Sequence, residues 1–117
     1  MSNLFGNQSK SFLAELVKIN KSNLLAFGYQ KLTVAGTVVG LTIPTGATYA
    51  LITVESSLTT PAIRYLELGL ITPPSATDGM SRSNLDTFDI TGASNLVNFR
   101  AIQIAAGTHT LHIQYYK

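Results

Sequence analysis

The feature that most constrains this chain is a change of hydrophobic period near Gly28. Upstream of it, Phe12, Leu16 and Ile19 recur at i, i+4 and i+7, with Leu13 and Val17 on the adjoining stripe. That spacing gives an amphipathic helix one apolar face over residues 10–20. Downstream, apolar residues recur at every second position, in short runs broken by Gly, Pro, Asn and Asp. A period of two sends alternate side chains to opposite faces, and a strand built that way hides its apolar face only against another sheet or in a closed barrel. Cysteine is absent, so packing alone must hold the core. The expected fold is therefore all-β: an antiparallel β-sandwich or jelly-roll-like barrel of about seven strands with a short N-terminal helix. One domain accommodates 117 residues. Residues 1–27 are expected as an arm and helix, and residues 28–117 as the β-domain.

The runs can be placed individually. Residues 29–35 alternate Leu32 and Val34 against Lys31 and Thr33, and residues 38–43 resume after Gly36 until Pro44-Thr45-Gly46 turns the chain. Residues 47–55 are β-branched, aromatic and uncharged until Glu55, which predicts a central strand covered on both faces. Residues 62–68 set Ile63 and Tyr65 against Arg64 and Leu66. Residues 69–84 contain Pro73-Pro74 and Asp78-Gly79 and cannot be an interior strand. They read as a long loop, and loops of that length in compact domains are usually functional. Strands are expected over residues 86–91, 95–105 and 108–116, with Ala106-Gly107 joining the last two as a hairpin. In the final strand Leu111, Ile113 and Tyr115 share one face, and Thr110, His112, Gln114 and Tyr116 share the other.

Charge excludes some functions. Charged residues are 12% of the chain, about half the usual share. A surface of Thr, Ser, Asn and Gln repels neighbouring copies weakly, which suits dense packing against other chains. The cations are scattered and form no basic stripe, so direct nucleic-acid binding is not expected. The first ten residues lack the pattern of a signal peptide, and no apolar run nears the roughly 20 residues of a membrane span. Synthesis in a cytoplasm without membrane insertion is the expectation.

Catalytic sets are hard to assemble. His109 and His112 are three apart on one expected strand, so they leave on opposite faces and cannot share a metal; an ordinary surface histidine near a hairpin is expected. Glu55 and Glu67 end consecutive strands and could approach as a two-carboxylate pair, but strand ends are also where solvated charges sit. Asp86 and Asp89 do not make a calcium loop, and the glycines sit singly rather than in a phosphate-binding run. No enzyme activity, metal or cofactor is expected. Tyr29, Tyr49, Tyr65, Tyr115 and Tyr116 could furnish a sugar platform, although the chain has no Trp. A carbohydrate- or receptor-binding module is thus an alternative.

Several pieces from Ala47 to Tyr116 carry a family resemblance. They are Ala47-Thr48-Tyr49-Ala50-Leu51-Ile52-Thr53-Val54-Glu55, Ile63-Arg64-Tyr65, Pro74-Ser75-Ala76-Thr77-Asp78-Gly79-Met80, Leu96-Val97-Asn98-Phe99-Arg100-Ala101-Ile102 and Leu111-His112-Ile113-Gln114-Tyr115-Tyr116. In this order they resemble a family of short tailed-phage virion proteins, with Glu67-Leu68-Gly69 standing where that family often has an Asp-Gly turn. The resemblance implies a non-enzymatic virion structural protein present in many copies, either a capsid decoration (cement) protein or a neck or tail adaptor. It implies other virion proteins as partners, the major capsid protein or neck and tail proteins, and fits a homo-oligomer located in the virion. Phe5, Phe12, Leu16 and Ile19, with Pro73, Pro74, Asp78 and Met80 of the long loop, are the expected contact residues, and residues 1–20 are expected to serve assembly more than stability. The strand pattern predicts a circular dichroism spectrum dominated by sheet with about one short helix; a helix-rich spectrum would refute it.

Overall fold

The computed structural model describes residues 23–117. The expected arm and amphipathic helix, with Phe5, Phe12, Leu16 and Ile19, lie outside the described residues. Those described form seven strands and one short helix: β1 (Ala26–Thr33), β2 (Tyr49–Ser56), β3 (Ile63–Leu66), β4 (Met80–Arg82), β5 (Thr87–Thr91), α1 (Ala93–Asn98), β6 (Arg100–Gln103) and β7 (His109–Tyr116). The described residues form an all-β fold. Its strands make two sheets, a four-stranded one in the order β1-β7-β2-β5 and a three-stranded one in the order β4-β3-β6. Every strand pair in them is antiparallel.

The inward rows follow the period-two pattern. Ala50, Ile52 and Val54 of β2, Phe88 and Ile90 of β5, and Leu111, Ile113 and Tyr115 of β7 are buried in one core with Ile63 and Tyr65 of β3 and Ala101 of β6. The two sheets meet through aromatic rings. Tyr65 of β3 lies 4.4 Å from Phe88 of β5, centroid to centroid and 17° from parallel, and 5.6 Å from Phe99. Such pairs contribute about 0.5–1.5 kcal/mol beyond the area they bury. The Arg82 guanidinium sits over both Tyr65 and Phe88, 5.6 and 5.3 Å from their centroids, and closes the side of the stack at the β4 edge.

Five expectations are corrected. Residues 38–43 form no strand: Val39 makes a single antiparallel bridge to Ala101, with both N–H···O distances 2.9 Å. Val39, Leu41 and Ile43 nonetheless pack against the core, so their alternation records burial rather than a ladder. The ladder stops at Gly40, where a Cβ would come within 2.7 Å of the Arg100 guanidinium. Residues 95–105 do not form one strand either. Gly92, at φ 103°, starts α1, which buries Leu96 before the chain straightens at Phe99 into β6. The Asn95 side-chain amide donates to Thr91 O at 2.8 Å and steadies that first turn.

The expected hairpin around Ala106-Gly107 does not form. β6 pairs with β3, whereas β7 lies between β1 and β2, so the connection passes from one sheet to the other. Central placement gives β7 two partner strands, β1 and β2. Strand β4 lies inside the expected long loop, as an edge strand that the prolines do not interrupt. β2 is central but covered on one face only, because Leu51 and Thr53 are half-buried and Glu55 is exposed.

The inward row of β7 is the most consequential for stability. Leu111→Ala or Ile113→Ala should destabilise by about 2–5 kcal/mol in chemical denaturation. Gln114→Ala, on the exposed face, should change stability by under about 0.5 kcal/mol. Equal costs would show that the strand presents its other face to the core.

Candidate functional site

Two surfaces gather the polar and exposed apolar residues that the core leaves over. One lies at the end of the three-stranded sheet where β3 finishes. After Leu66 the chain turns tightly, with Gly69 N–H donating to Leu66 O at 3.2 Å and Ile71 and Thr72 N–H donating to Leu68 O at 3.0 and 2.9 Å. Gly69 is required there, because a Cβ would lie 2.5 Å from Arg100 Cβ and 2.9 Å from Arg100 N. Leu70 N–H donates to Asn98 O at 2.8 Å, which ties the turn to the end of α1. The Arg100 guanidinium donates to Val97 O and Phe99 O and satisfies that helix end. Backbone bonds therefore hold this turn in place while its side chains face water. Leu68, Leu70, Ile71 and Val97 are 49, 53, 76 and 55% exposed.

The long loop continues from this turn and is fastened at its base. Arg64 of β3 donates through Nε to Ala76 O at 3.0 Å and through a terminal nitrogen to Gly79 O at 2.9 Å. Ser75 and Asp78 exchange backbone bonds, and the Ser75 hydroxyl donates to the Asp78 carboxylate. Of the expected loop contacts, Pro73, Asp78 and Met80 are exposed and Pro74 is buried. Sequence reasoning named the loop but passed over Leu68, Leu70, Ile71 and Val97. The signal was present, since Leu68-Gly69-Leu70-Ile71 is apolar and lies one residue before the prolines, inside a stretch that cannot be an interior strand.

The second surface is the outer face of the four-stranded sheet. Glu55 of β2, His112 of β7 and Tyr29 of β1 form a hydrogen-bonded chain across three strands. His112 Nε2 lies 3.0 Å from Glu55 Oε2, and a carboxylate can only accept, so Nε2 carries the proton. Nδ1 of a neutral ring is then the acceptor for the Tyr29 hydroxyl at 2.7 Å. Nearby, the Tyr49 hydroxyl donates to Asp89 at 2.8 Å, and the Tyr49 and Tyr116 rings meet edge to face at 5.4 Å. Glu67 lies in the turn after β3, in the other sheet, so the strands do not bring it to Glu55 as a two-carboxylate pair.

His109 corrects the expectation of a surface histidine. It is fully buried. Its position is in phase with Leu111, Ile113 and Tyr115, and the alternation of the sequence itself carries that signal. Its Nε2 donates to Ala105 O at 2.8 Å, which leaves Nδ1 to accept from the Ser56 hydroxyl at 2.9 Å. A serine at that distance from an imidazole has the spacing of a nucleophile and its base. Here, however, a backbone carbonyl stands where an orienting carboxylate would, and Ser56 Oγ also accepts the Leu58 N–H at 3.0 Å. The set straps the crossing before β7 to the end of β2. Among the described residues no group of His, Asp and Glu is placed to hold a metal ion, and none of their helices is long and apolar enough to cross a membrane.

Comparison with known proteins finds no matching family profile, no similar curated protein and no similar solved structure.

Two tyrosines carry perturbed hydroxyls. Tyr115 is pushed up from 10.0 to about 12 by burial. Tyr49 is also raised to about 12, first by burial, then by its hydrogen bond to Asp89 and the negative charge there. In the unfolded chain a tyrosine ionises near pH 10. A group raised in the folded state contributes stability that is complete below pH 10 and is lost as pH climbs toward 12. Absorbance titration near 295 nm should show Tyr49→Phe and Tyr115→Phe each removing a late-ionising tyrosine, with thermal stability falling above about pH 10.

Proposed function

We propose that this chain is a non-enzymatic structural protein of a tailed-phage virion, a capsid decoration protein present in many copies. The exposed apolar turn carries the reading. Leu68, Leu70, Ile71 and Val97 are presented by a turn that Gly69 and Arg100 hold rigid, so they can meet a partner with little loss of backbone freedom. Apolar residues scattered singly need no explanation, whereas a group at one end of a domain marks an interaction surface. A protein with only 12% charged residues tolerates close neighbours. The resemblance of residues 47–116 to short tailed-phage virion proteins supplies the particle.

The strand order supports the same reading. In a jelly roll of eight strands, one sheet runs first-eighth-third-sixth and the other second-seventh-fourth-fifth. We assign the Val39 segment as a second strand reduced to one bridge. The order β1-β7-β2-β5 then matches the first sheet, and Val39-β6-β3-β4 matches the second. On this assignment the molecule is a seven-stranded jelly-roll sandwich with one degenerate strand. Jelly rolls recur in viral capsid proteins and in lectins.

Cementing works by burying apolar area across subunit joints, and about 800 Å² per partner suffices when it is repeated around a symmetric shell. Changing both Leu70 and Ile71 to Asp should leave the thermal transition near that of the parent, because neither side chain belongs to the buried core and both are more than half exposed. The variant should fail to bind particles depleted of this protein, as read by co-sedimentation. Quantitative mass spectrometry of purified particles should find copies in multiples of about 60 for a shell protein. Multiples of 6 or 12 would instead assign it to the neck or tail, and absence from the particle would end the proposal.

A further inference from the structure

The outer face of the four-stranded sheet carries a square of side chains, two corners of which the fold leaves unengaged. The β1–β7 ladder sets Tyr29 opposite Gln114 and Lys31 opposite His112, all four on the side away from the Leu111, Ile113 and Tyr115 row. Tyr29 is 65% exposed, yet its ring is fixed in place. Its hydroxyl is bonded to His112 Nδ1 at 2.7 Å, the two rings lie 23° from parallel with centroids 6.2 Å apart, and Glu55 holds the imidazole from the other side. One face of a pre-oriented aromatic ring is thereby offered to solvent. The strand irregularity between Ala26 and Gly28 opens a shallow depression beside it, lined by Ala26, Phe27, Gly28, Tyr29 and Gln114. Among the described residues, the Gln114 amide and the Lys31 ammonium make no side-chain hydrogen bond or ion pair.

We infer that this square binds an acidic saccharide. A pyranose offers a flat C–H face that stacks on an aromatic ring, hydroxyls that pair with an amide, and, when it is a uronic or sialic acid, a carboxylate that seeks a cation. Tyr29, Gln114 and Lys31 supply those three partners in that order. Paired residues on an antiparallel ladder stand about 5 Å apart and alternate residues along a strand about 7 Å. The square therefore spans one sugar ring and its charged substituent. An extended peptide fits less well, because the backbone groups of β1 facing β7 are already engaged in the ladder and this is a face rather than an edge. Lys31 is the cation of the square and attracts the sugar's carboxylate, while the Glu55 carboxylate lies beyond β7 on β2 and is engaged by His112.

The test is a titration of the isotope-labelled full-length protein, followed by amide chemical shifts, with 3′-sialyllactose and digalacturonic acid as acidic probes and lactose as the neutral one. At least one acidic probe should perturb amides of residues 28–32 and 112–115 with a dissociation constant of about 1 mM, and lactose should bind at least about tenfold more weakly. Tyr29→Ala should abolish the perturbation while the rest of the spectrum keeps its dispersion. Lys31→Met should reduce acidic-probe affinity to the level of lactose, and Tyr29→Phe, which keeps the ring but frees it from His112, should fall between parent and Tyr29→Ala. Silence of both acidic probes to about 20 mM would overturn the inference. So would perturbations mapping elsewhere, equal affinity for lactose, or an unchanged Lys31→Met. None of these outcomes bears on the particle-binding role assigned to Leu70 and Ile71.

Discussion

The structure depends on the placement of its last strand. β7 is hydrogen-bonded on both sides, to β1 over Ala26–Thr33 and to β2 over Tyr49–Ser56. Its inward residues Leu111, Ile113 and Tyr115 are at most 1% exposed and form the floor of the core. Among the described residues no other strand brings β1 and β2 into the same sheet, so the four-stranded layer exists only when the C-terminal residues have returned to its centre. Contacts of such long sequence separation are costly in chain entropy and make folding slow and highly cooperative. The buried His109 strap guards the entry to this strand, holding Ala105 and Ser56 together where the chain changes sheets.

The second sheet is smaller and is held differently. Its strands are three or four residues long, too short to be stable by their ladders alone. Stacking of Tyr65 on Phe88 and Phe99, covered by Arg82, joins it to the larger layer. The division leaves the molecule with two different outer surfaces. The short-stranded sheet ends in a rigid apolar turn, and the long-stranded sheet displays an ordered array of tyrosines, histidine and acids. Both surfaces are products of the packing inside, since Gly69 must leave room for Arg100 and the β1–β7 register must bring Tyr29 within reach of His112.

Much of this was legible in the residues. The alternation located β2, β3, β5 and β7 and gave the buried side of β3 and β7, because a period of two has one geometrical meaning; in β2 the uncharged run hid which face was solvated. The same phase runs through His109, but its residue type argued for the surface and the expectation followed the type, whereas the structure buries it. The binding surfaces were less legible. The Glu55–His112–Tyr29 chain joins residues far apart in sequence, and only the strand order makes them neighbours. Leu70 and Ile71 fell at the start of the expected loop with nothing to single them out, and only the bond from Leu70 to Asn98 shows that a tied turn presents them.

By itself, the sequence determined that the described domain is built of antiparallel strands without disulfides, and which side of β3 and β7 is buried. Local periodicity and composition are properties of short segments, and they need no partner to be read. Tertiary structure alone decided that β6 and β7 part into different sheets, that residues 93–98 coil into a helix, and that the Val39 segment keeps a single bridge. Each of those outcomes was a competition between alternatives of nearly equal local preference. Leu96 and Phe99 could be buried by a strand or by a turn of helix, and the buried ring of Phe99, stacked beside Tyr65, is reached here from the end of the helix. β7 could pair with its neighbour in sequence or with two distant strands, and the second arrangement satisfies the backbone on both of its edges.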